Sequence, residues 1–489
     1  MYNKSAYAIR EGFSKGKLTA LEITEYFLSR VKLFDPQIKS FLKVLSERMM
    51  QKAINLDAKK QKGKPLGLLA GVPIAIKDNI HIKGEITTCG SKFLSNYIAP
   101  FDATVTHLLE SEDALIIGKT NLDEFAMGSS TEHSAYQVTK NPWNLSTSPG
   151  GSSGGSSAAV AARLCPVSLG SDTGGSIRQP AAFTQLVGFK PTYGRVSRFG
   201  LVAFGSSLDQ IGPFTHTVKD AALIMEVLAK HCPHDATSLN ISKQPFLNHL
   251  STSIQGKKIG VPWSFLEGLS KTTRKEFEKS LDVFKNLGVS IVDINLEKLK
   301  HSIPVYYILS TAEASTNLAR FDGVRFGKRA ENVESFKDLY NLSREEGFGN
   351  EVKQRILLGT FVLSAGHQDA HFKKAQKIRT LIIQSYKQAF ELCDIIAMPV
   401  TPTTAFELNS IRDPIEMYLQ DLYTIGANLA GIPAISVPAG LSKDHLPYGL
   451  QLMGPQMQDH KVLQYAHQFE QASINVPSVP PLFDKEAVL

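Results

Sequence analysis

Ser148-Pro-Gly-Gly-Ser-Ser-Gly-Gly-Ser-Ser157 runs without a break into Ala158-Ala-Val-Ala-Ala-Arg-Leu164, and the way this junction is read decides the fold. By composition the first part is a flexible Gly/Ser linker. A linker seldom ends in a strong helix former, however, and the alanine-rich segment that follows is one. A glycine-rich loop that enters a helix presents free backbone N–H groups and lets a serine approach a small substrate closely. The stretch therefore reads as a tight loop opening a helix.

A second loop of the same kind follows a short strand: Ser168-Leu-Gly-Ser-Asp-Thr-Gly-Gly-Ser176-Ile-Arg178. Its glycines allow N–H groups to converge, as an oxyanion hole at Thr173, Gly174, Gly175 and Ser176 requires. A serine hydroxyl is a poor nucleophile until a base takes its proton. His133 and His216 flank the region, but no carboxylate is assignable to orient either. Lys77 offers another route. It ends the apolar strand Val72-Pro-Ile-Ala-Ile-Lys77, in which Pro73, Ala75 and Lys77 share one face. A lysine held there is desolvated, and desolvation favours the neutral amine that can accept a proton. For a lone lysine on a strand, the ordinary expectation is a side chain that snorkels to solvent; the two glycine loops shift the balance.

Outward from this core, apolar strands alternate with amphipathic helices. Thr19-Ala-Leu-Glu22 is a capping box opening a helix through Ile23, Phe27 and Val31, with Asp35-Pro36 as its stop. Strand-like runs recur at Ala114–Ile117, Lys258–Val261, Val289–Ile294, Ile395–Met398 and Ala434–Val437, separated by helical patterns. This alternation predicts an α/β fold: a large mixed, mostly parallel sheet covered by helices on both faces. The expected organisation is a single domain over 1–475, with an N-terminal helical region at 1–65, the loop-bearing core at 66–230, a connector at 231–255 and a second half at 256–475. A Pro-rich surface tail at 476–489 follows.

With 43% hydrophobic residues the 489-residue chain can bury a large core, and its net charge of +7 is dispersed, which is not the footprint of a dedicated nucleic-acid binder. Four scattered cysteines (Cys89, Cys165, Cys232, Cys393) suggest buried thiols and neither a disulfide framework nor a zinc site. No apolar run is long enough to span a membrane and none follows a basic start, so a cytoplasmic protein is expected.

Taken together, Gly71-Val-Pro-Ile-Ala-Ile-Lys-Asp78, Ser148 to Ser156 and Gly170-Ser-Asp-Thr-Gly-Gly-Ser-Ile-Arg178 resemble the signature of the amidase-signature family. The resemblance implies a Ser-cis-Ser-Lys triad: Ser176 as nucleophile, Ser152 as bridging serine on a cis peptide, and Lys77 as base. Gly118-Lys-Thr-Asn-Leu-Asp-Glu-Phe-Ala-Met-Gly-Ser-Ser130, Lys190-Pro-Thr-Tyr-Gly-Arg-Val-Ser-Arg-Phe-Gly200, Ser207-Leu-Asp-Gln-Ile-Gly-Pro213, Phe321-Asp-Gly-Val-Arg325 and Ser343-Arg-Glu-Glu-Gly-Phe-Gly349 are similar to a narrower branch, the glutaminase subunits of tRNA-dependent amidotransferases. Membership there implies hydrolysis of glutamine, with ammonia passed to a partner that amidates Glu-tRNA(Gln) or Asp-tRNA(Asn). It also implies two further subunits, B and C, with ATP and Mg²⁺ on a partner and no cofactor or metal in this chain. By the same resemblance Arg355 binds the glutamine carboxylate and Asp421 its ammonium, with Tyr306, or Tyr307 beside it, completing the pocket. From the residues alone, Arg355 reads as an exposed helix charge and Asp421 as a helix N-cap before Leu422.

Other signals are weaker. Gly150-Gly-Ser-Ser-Gly154 formally matches the nucleophile elbow of α/β-hydrolases, but a turn-like segment precedes it where that motif needs a strand. Gly118-Lys119-Thr120 lacks the leading glycine of a phosphate-binding loop, and His367/His371 lacks the glutamate of a zinc-protease helix. Two other functions compete with that of the glutaminase. One is a stand-alone amidase using the same triad; the other is a non-catalytic scaffold, which the intact Ser176, Ser152 and Lys77 disfavour.

Overall fold

The computed structural model describes residues 1–242, 244–473 and 478–485. At its centre is one sheet built from β1 (Phe41–Val44), β2 (Pro73–Lys77), β3 (Leu115–Thr120), β4 (Val167–Asp172), β5 (Val187–Lys190), β6 (Gln210–Thr215), β7 (Lys258–Val261), β8 (Ser290–Asp293), β9 (Ile395–Pro399), β10 (Ala434–Leu441) and β11 (Pro447–Met453). The spatial order is β1-β3-β2-β4-β6-β5-β10-β11-β9-β7-β8. The pairing of β5 with β10 carries the sheet from the first sequence half into the second.

The sheet is mixed, as expected, but not mostly parallel. Parallel pairing is confined to β3-β2-β4 on one side and β9-β7-β8 on the other. The middle, β4-β6-β5-β10-β11-β9, is antiparallel throughout, as is β1 on β3. The physical reason is the connections: β10 and β11 are joined by a short turn, which can only reverse the chain, whereas parallel neighbours need a crossover. β1, β5, β6 and β11 are also strands that the hydrophobic pattern did not reveal.

Both faces of the sheet are covered. On one face Ile74, Ile76, Ile116, Val167 and Leu169 join the core that includes the helices Val218–Leu228 and Lys374–Leu392. On the other, Ala75, Leu115, Ile117 and Phe214 pack with the helices Ala20–Ile38, Ser46–Gln61 and Gly154–Ala161. Alternation along β2 thus sends Ile74 and Ile76 one way and Ala75, with Lys77 in the same phase, towards the helix that follows the glycine-rich loop.

Two local expectations need correction. The Thr19 capping box forms, but the helix it opens does not stop at Asp35-Pro36; it runs to Ile38 and ends on Lys39 in a left-handed conformation, φ 59°. Asp35 instead accepts from the Ser40 N–H at 2.8 Å, so its side chain closes the turn after the helix. Nor is the C-terminal stretch simply a surface tail. Within 478–485, Phe483 is fully buried against Phe34, and Arg30 donates to the Phe483 carbonyl; 476–477 and 486–489 lie outside the described residues. The described residues of 231–255 hold one short 3-10 turn, Leu247–His249, and bury Cys232, Phe246, Leu250 and Ile254.

Candidate active site

The glycine-rich loop is rigidly packed. Gly151 faces the Asp123 carboxylate and the Ser130 backbone so closely that a Cβ there would collide with both. Asp123 fastens the 130–133 turn in place, accepting from Thr131 N at 2.8 Å and His133 N at 3.1 Å. On its other side Gln179 accepts from Gly151 N at 2.9 Å and donates to the Ser129 carbonyl at 2.9 Å. The Gly151–Ser152 peptide is cis, and the helix Gly154–Ala161 begins two residues on.

Lys77 is fully buried at the end of β2. Its Nζ lies 2.7 Å from Ser152 Oγ, 2.8 Å from Ser153 Oγ and 3.0 Å from Ser171 Oγ. Burial pushes its pKa down to about 7 against the pull of Asp123, Asp172 and Asp209. The three hydroxyls are not equivalent. Ser153 spends its own proton on the Ser171 carbonyl, 3.1 Å away, and Ser171 Oγ also accepts from Asn79 Nδ2 at 3.0 Å. Ser152 Oγ has no other hydrogen bond among the described residues, so it is the hydroxyl freest to exchange a proton with the amine.

Ser176 sits past β4 on the second loop, 8% exposed. The loop is held from beneath by Asp172, which accepts from Ile177 N at 3.2 Å and forms a fully buried ion pair with Arg178 at 3.0 Å. Burial alone would raise the Asp172 pKa, but Arg178 and its hydrogen bonds outweigh it and hold the carboxyl at about 2. Thr173 donates to Asp209 at 2.6 Å, and Thr424 to the Gly174 carbonyl at 2.6 Å. The backbone N–H groups of Gly174, Gly175 and Ser176 donate to no other described residue, which leaves a cluster of unused donors beside the Ser176 hydroxyl.

The distant residues also gather here. Tyr306 is buried against Gly174. Tyr307 stacks on Tyr418, centroids 3.8 Å apart, and lies under the Arg355 guanidinium, 5.3 Å from the ring centroid. The two tyrosines therefore do different things, one backing the serine loop and the other supporting the arginine. Arg355 is buried, not an exposed helix charge; its Nε donates to Glu351 at 2.7 Å, while its terminal nitrogens bond to no described residue. Asp421 accepts from Ser129 Oγ at 2.6 Å, and burial raises its pKa to about 7 against that bond and the charge of Arg355. It is not a helix N-cap: the helix Ile425–Ala430 is preceded by Thr424. A cavity of about 680 Å³ opens over these groups, lined by Gly128, His133, Gln354, Arg355, Met417 and Tyr418. Its lining includes Arg355 but neither Ser176 nor Asp421.

A buried amine, hydroxyls within reach of it and free N–H groups are the equipment for acyl transfer from an amide. The amidase family model matches residues 22–463. The chain belongs to the amidase family. It is 58% identical over 486 residues to a protein from Protochlamydia amoebophila named as the A subunit of glutamyl-tRNA(Gln) amidotransferase, with 99% of each chain covered. The crystal structure of the corresponding A subunit of glutamyl-tRNA(Gln) amidotransferase from Thermotoga maritima superposes with a TM-score of 0.81 at 40% identity, covering 98% of this chain and 97% of that one. A bacterial aryl acylamidase of the amidase signature family superposes as well, with a TM-score of 0.85, at 26% identity and 96% coverage of each. The fold thus serves more than one amide.

Sequence reasoning missed Ser153, Ser171, Asn79, Ser129, Gln179 and Thr424. Ser153 and Ser171 lie inside the quoted motifs and could have been flagged as polar residues in glycine loops. Ser129 also lies in a quoted motif, but its partner, like that of Thr424, is hundreds of positions away, and for Thr424 no local signal exists.

Proposed function

We propose that the chain is the glutaminase component of a cytoplasmic tRNA-dependent amidotransferase, working with subunits B and C, with ATP and Mg²⁺ used on a partner. The observation that carries the chemistry is a fully buried Lys77 amine 2.7 Å from Ser152. The names of the relatives at 52–58% identity supply the substrate class.

Glutamine enters with its α-carboxylate on the free nitrogens of Arg355 and its ammonium on Asp421, so that the side-chain amide reaches Ser176. Tyr306 backs the serine loop. Neutral Lys77 takes the Ser152 proton while Ser152 takes that of Ser176, whose Oγ bonds to the amide carbon. The N–H groups at Thr173, Gly174, Gly175 and Ser176 receive the oxyanion. Collapse returns the proton through Ser152 to the leaving nitrogen, ammonia departs, and the γ-glutamyl ester on Ser176 remains. Water attacks that ester with the same relay as base, releasing glutamate and restoring Ser176. Ammonia then passes to the partner that amidates Glu-tRNA(Gln) or Asp-tRNA(Asn).

The test is ammonia release from glutamine by the purified chain, alone and with its partner subunits and mischarged tRNA. Stimulation by the partners and abolition by Ser176→Ala are expected. Free cleavage of simple amides by the isolated chain, with no action on glutamine, would leave a stand-alone amidase instead.

A further inference from the structure

Between Asp421 and the serine loop stands a residue with no role in the relay. Thr424 Oγ1 donates to the Gly174 carbonyl at 2.6 Å and lies 3.0 Å from the Asp421 carbonyl, and its own N–H donates to the Asp421 carbonyl at 3.1 Å. Its carbonyl accepts from Arg178 Nη1 at 2.9 Å, so the buried ion pair under the loop fixes it from the other side. Gly175, at φ 142°, has no room for a Cβ because the Thr424 side chain occupies that space.

In a planar trans peptide the C=O and the following N–H point in opposite directions. A hydroxyl that grips the Gly174 carbonyl therefore decides where the Gly175 N–H aims, and that N–H has no other partner among the described residues. Glycine on both sides of the peptide leaves it otherwise free to rotate. We infer that Thr424 is a positioning residue: by holding the Gly174 carbonyl it turns the Gly175 N–H towards the oxyanion that forms on the substrate of Ser176. The inference rests on the amide-hydrolysis reading above and adds to it a residue on the same turn as Asp421. The ammonium subsite and the oxyanion donor are thereby built on one support.

An N–H aimed at the oxyanion matters in the transition state more than in the bound substrate, so Thr424 should act on kcat and little on KM. The experiment measures glutaminase kcat and KM in the assembled complex for Thr424→Ser, Thr424→Cys and Thr424→Val, with glutamine affinity measured separately in a Ser176→Ala background. Removing one oxyanion donor outright costs about 10²–10³ in kcat. Misaiming one should cost about 10–100-fold in Thr424→Val, with KM within about threefold. Thr424→Ser keeps the hydroxyl and should stay within about threefold of the parent. Thr424→Cys, with a weak S–H donor of similar size to serine, should fall well below Thr424→Ser. Should the valine variant not fold, the serine and cysteine pair decides. Equal kcat for serine and cysteine, or a rise in KM and in the dissociation constant at unchanged kcat, would overturn the inference. The Ser176→Ala control keeps the two ideas apart: if ammonia release survives it, Ser176 is not the nucleophile and the mechanism on which the inference rests fails. If it does not, the Thr424 result stands by itself.

Discussion

Lys77 and Lys119 end up on adjacent strands, one register position apart in the β2–β3 ladder, and both are buried. Their surroundings differ in one respect. Lys119 forms an ion pair with Asp78 at 2.9 Å and donates to the Ile80 carbonyl at 2.8 Å, so it is a charge held by a charge. Among the described residues the Lys77 amine bonds only to hydroxyls, and its carboxylate neighbours act from a distance. Burial by itself does not make a lysine a base; what touches the amine does. Lys190 draws the line from the other side. It is buried, and burial and Arg178 push its pKa to about 7, yet among the described residues its amine donates to the Pro191 carbonyl and to no hydroxyl. A lowered pKa without a serine beside it performs no hydrolysis.

This contrast can be broken by substitution. Lys77→Met should lower glutaminase kcat about 10²–10⁴-fold, the usual worth of a general base, while leaving the melting temperature close to that of the parent. Lys77→Arg should be equally inactive, because a guanidinium does not give up its proton. Lys119→Met should do the reverse. It leaves Asp78 buried without its partner and should cost about 3–5 kcal/mol of stability, read from denaturant unfolding, with kcat of the folded protein near normal. If Lys119→Met also removed activity from folded protein, the division of labour between the two lysines would be wrong.

The substrate pocket sharpens the comparison at a smaller scale. If Asp421 holds the glutamine ammonium as proposed, Asp421→Asn should raise KM about 10–100-fold, the value of a charge-assisted hydrogen bond of about 1.5–3 kcal/mol, with kcat affected less. The smallest expected effect is that of Lys190→Met, which leaves kcat and KM within about twofold because no reacting group touches it; surface-like tolerance is not expected in stability.

How much of this was legible in the sequence follows from the range of the interactions. The two glycine loops and Lys77 each carry a local signature, a glycine-serine run or a lysine ending an apolar strand, and the structure brings the Lys77 amine to within 2.7 Å of Ser152. The alternation of strands and helices gave the layered α/β plan. Strand direction was not legible, since an apolar run such as Ile395–Met398 reads the same whichever way its neighbour points. Pro36 misled because proline in a last helical turn gives up one hydrogen bond without ending the helix. Arg355 and Asp421 could be reached only through resemblance, since nothing near either residue in the sequence reveals that both are buried, one against Tyr307 and the other on Ser129. Thr424 was beyond even resemblance: its partner lies 250 positions earlier.

The central claim is that a neutral Lys77 starts the relay, and the pH dependence of glutaminase kcat tests it most directly. An amine with a pKa of about 7 is competent when deprotonated, so its activity is present above that pH and lost as pH falls through it. The account predicts a kcat that is half-maximal near pH 7, falls about tenfold per unit below it, and levels off above. A kcat that holds steady down to pH 5.5, or one that declines as pH rises past 7, would contradict it.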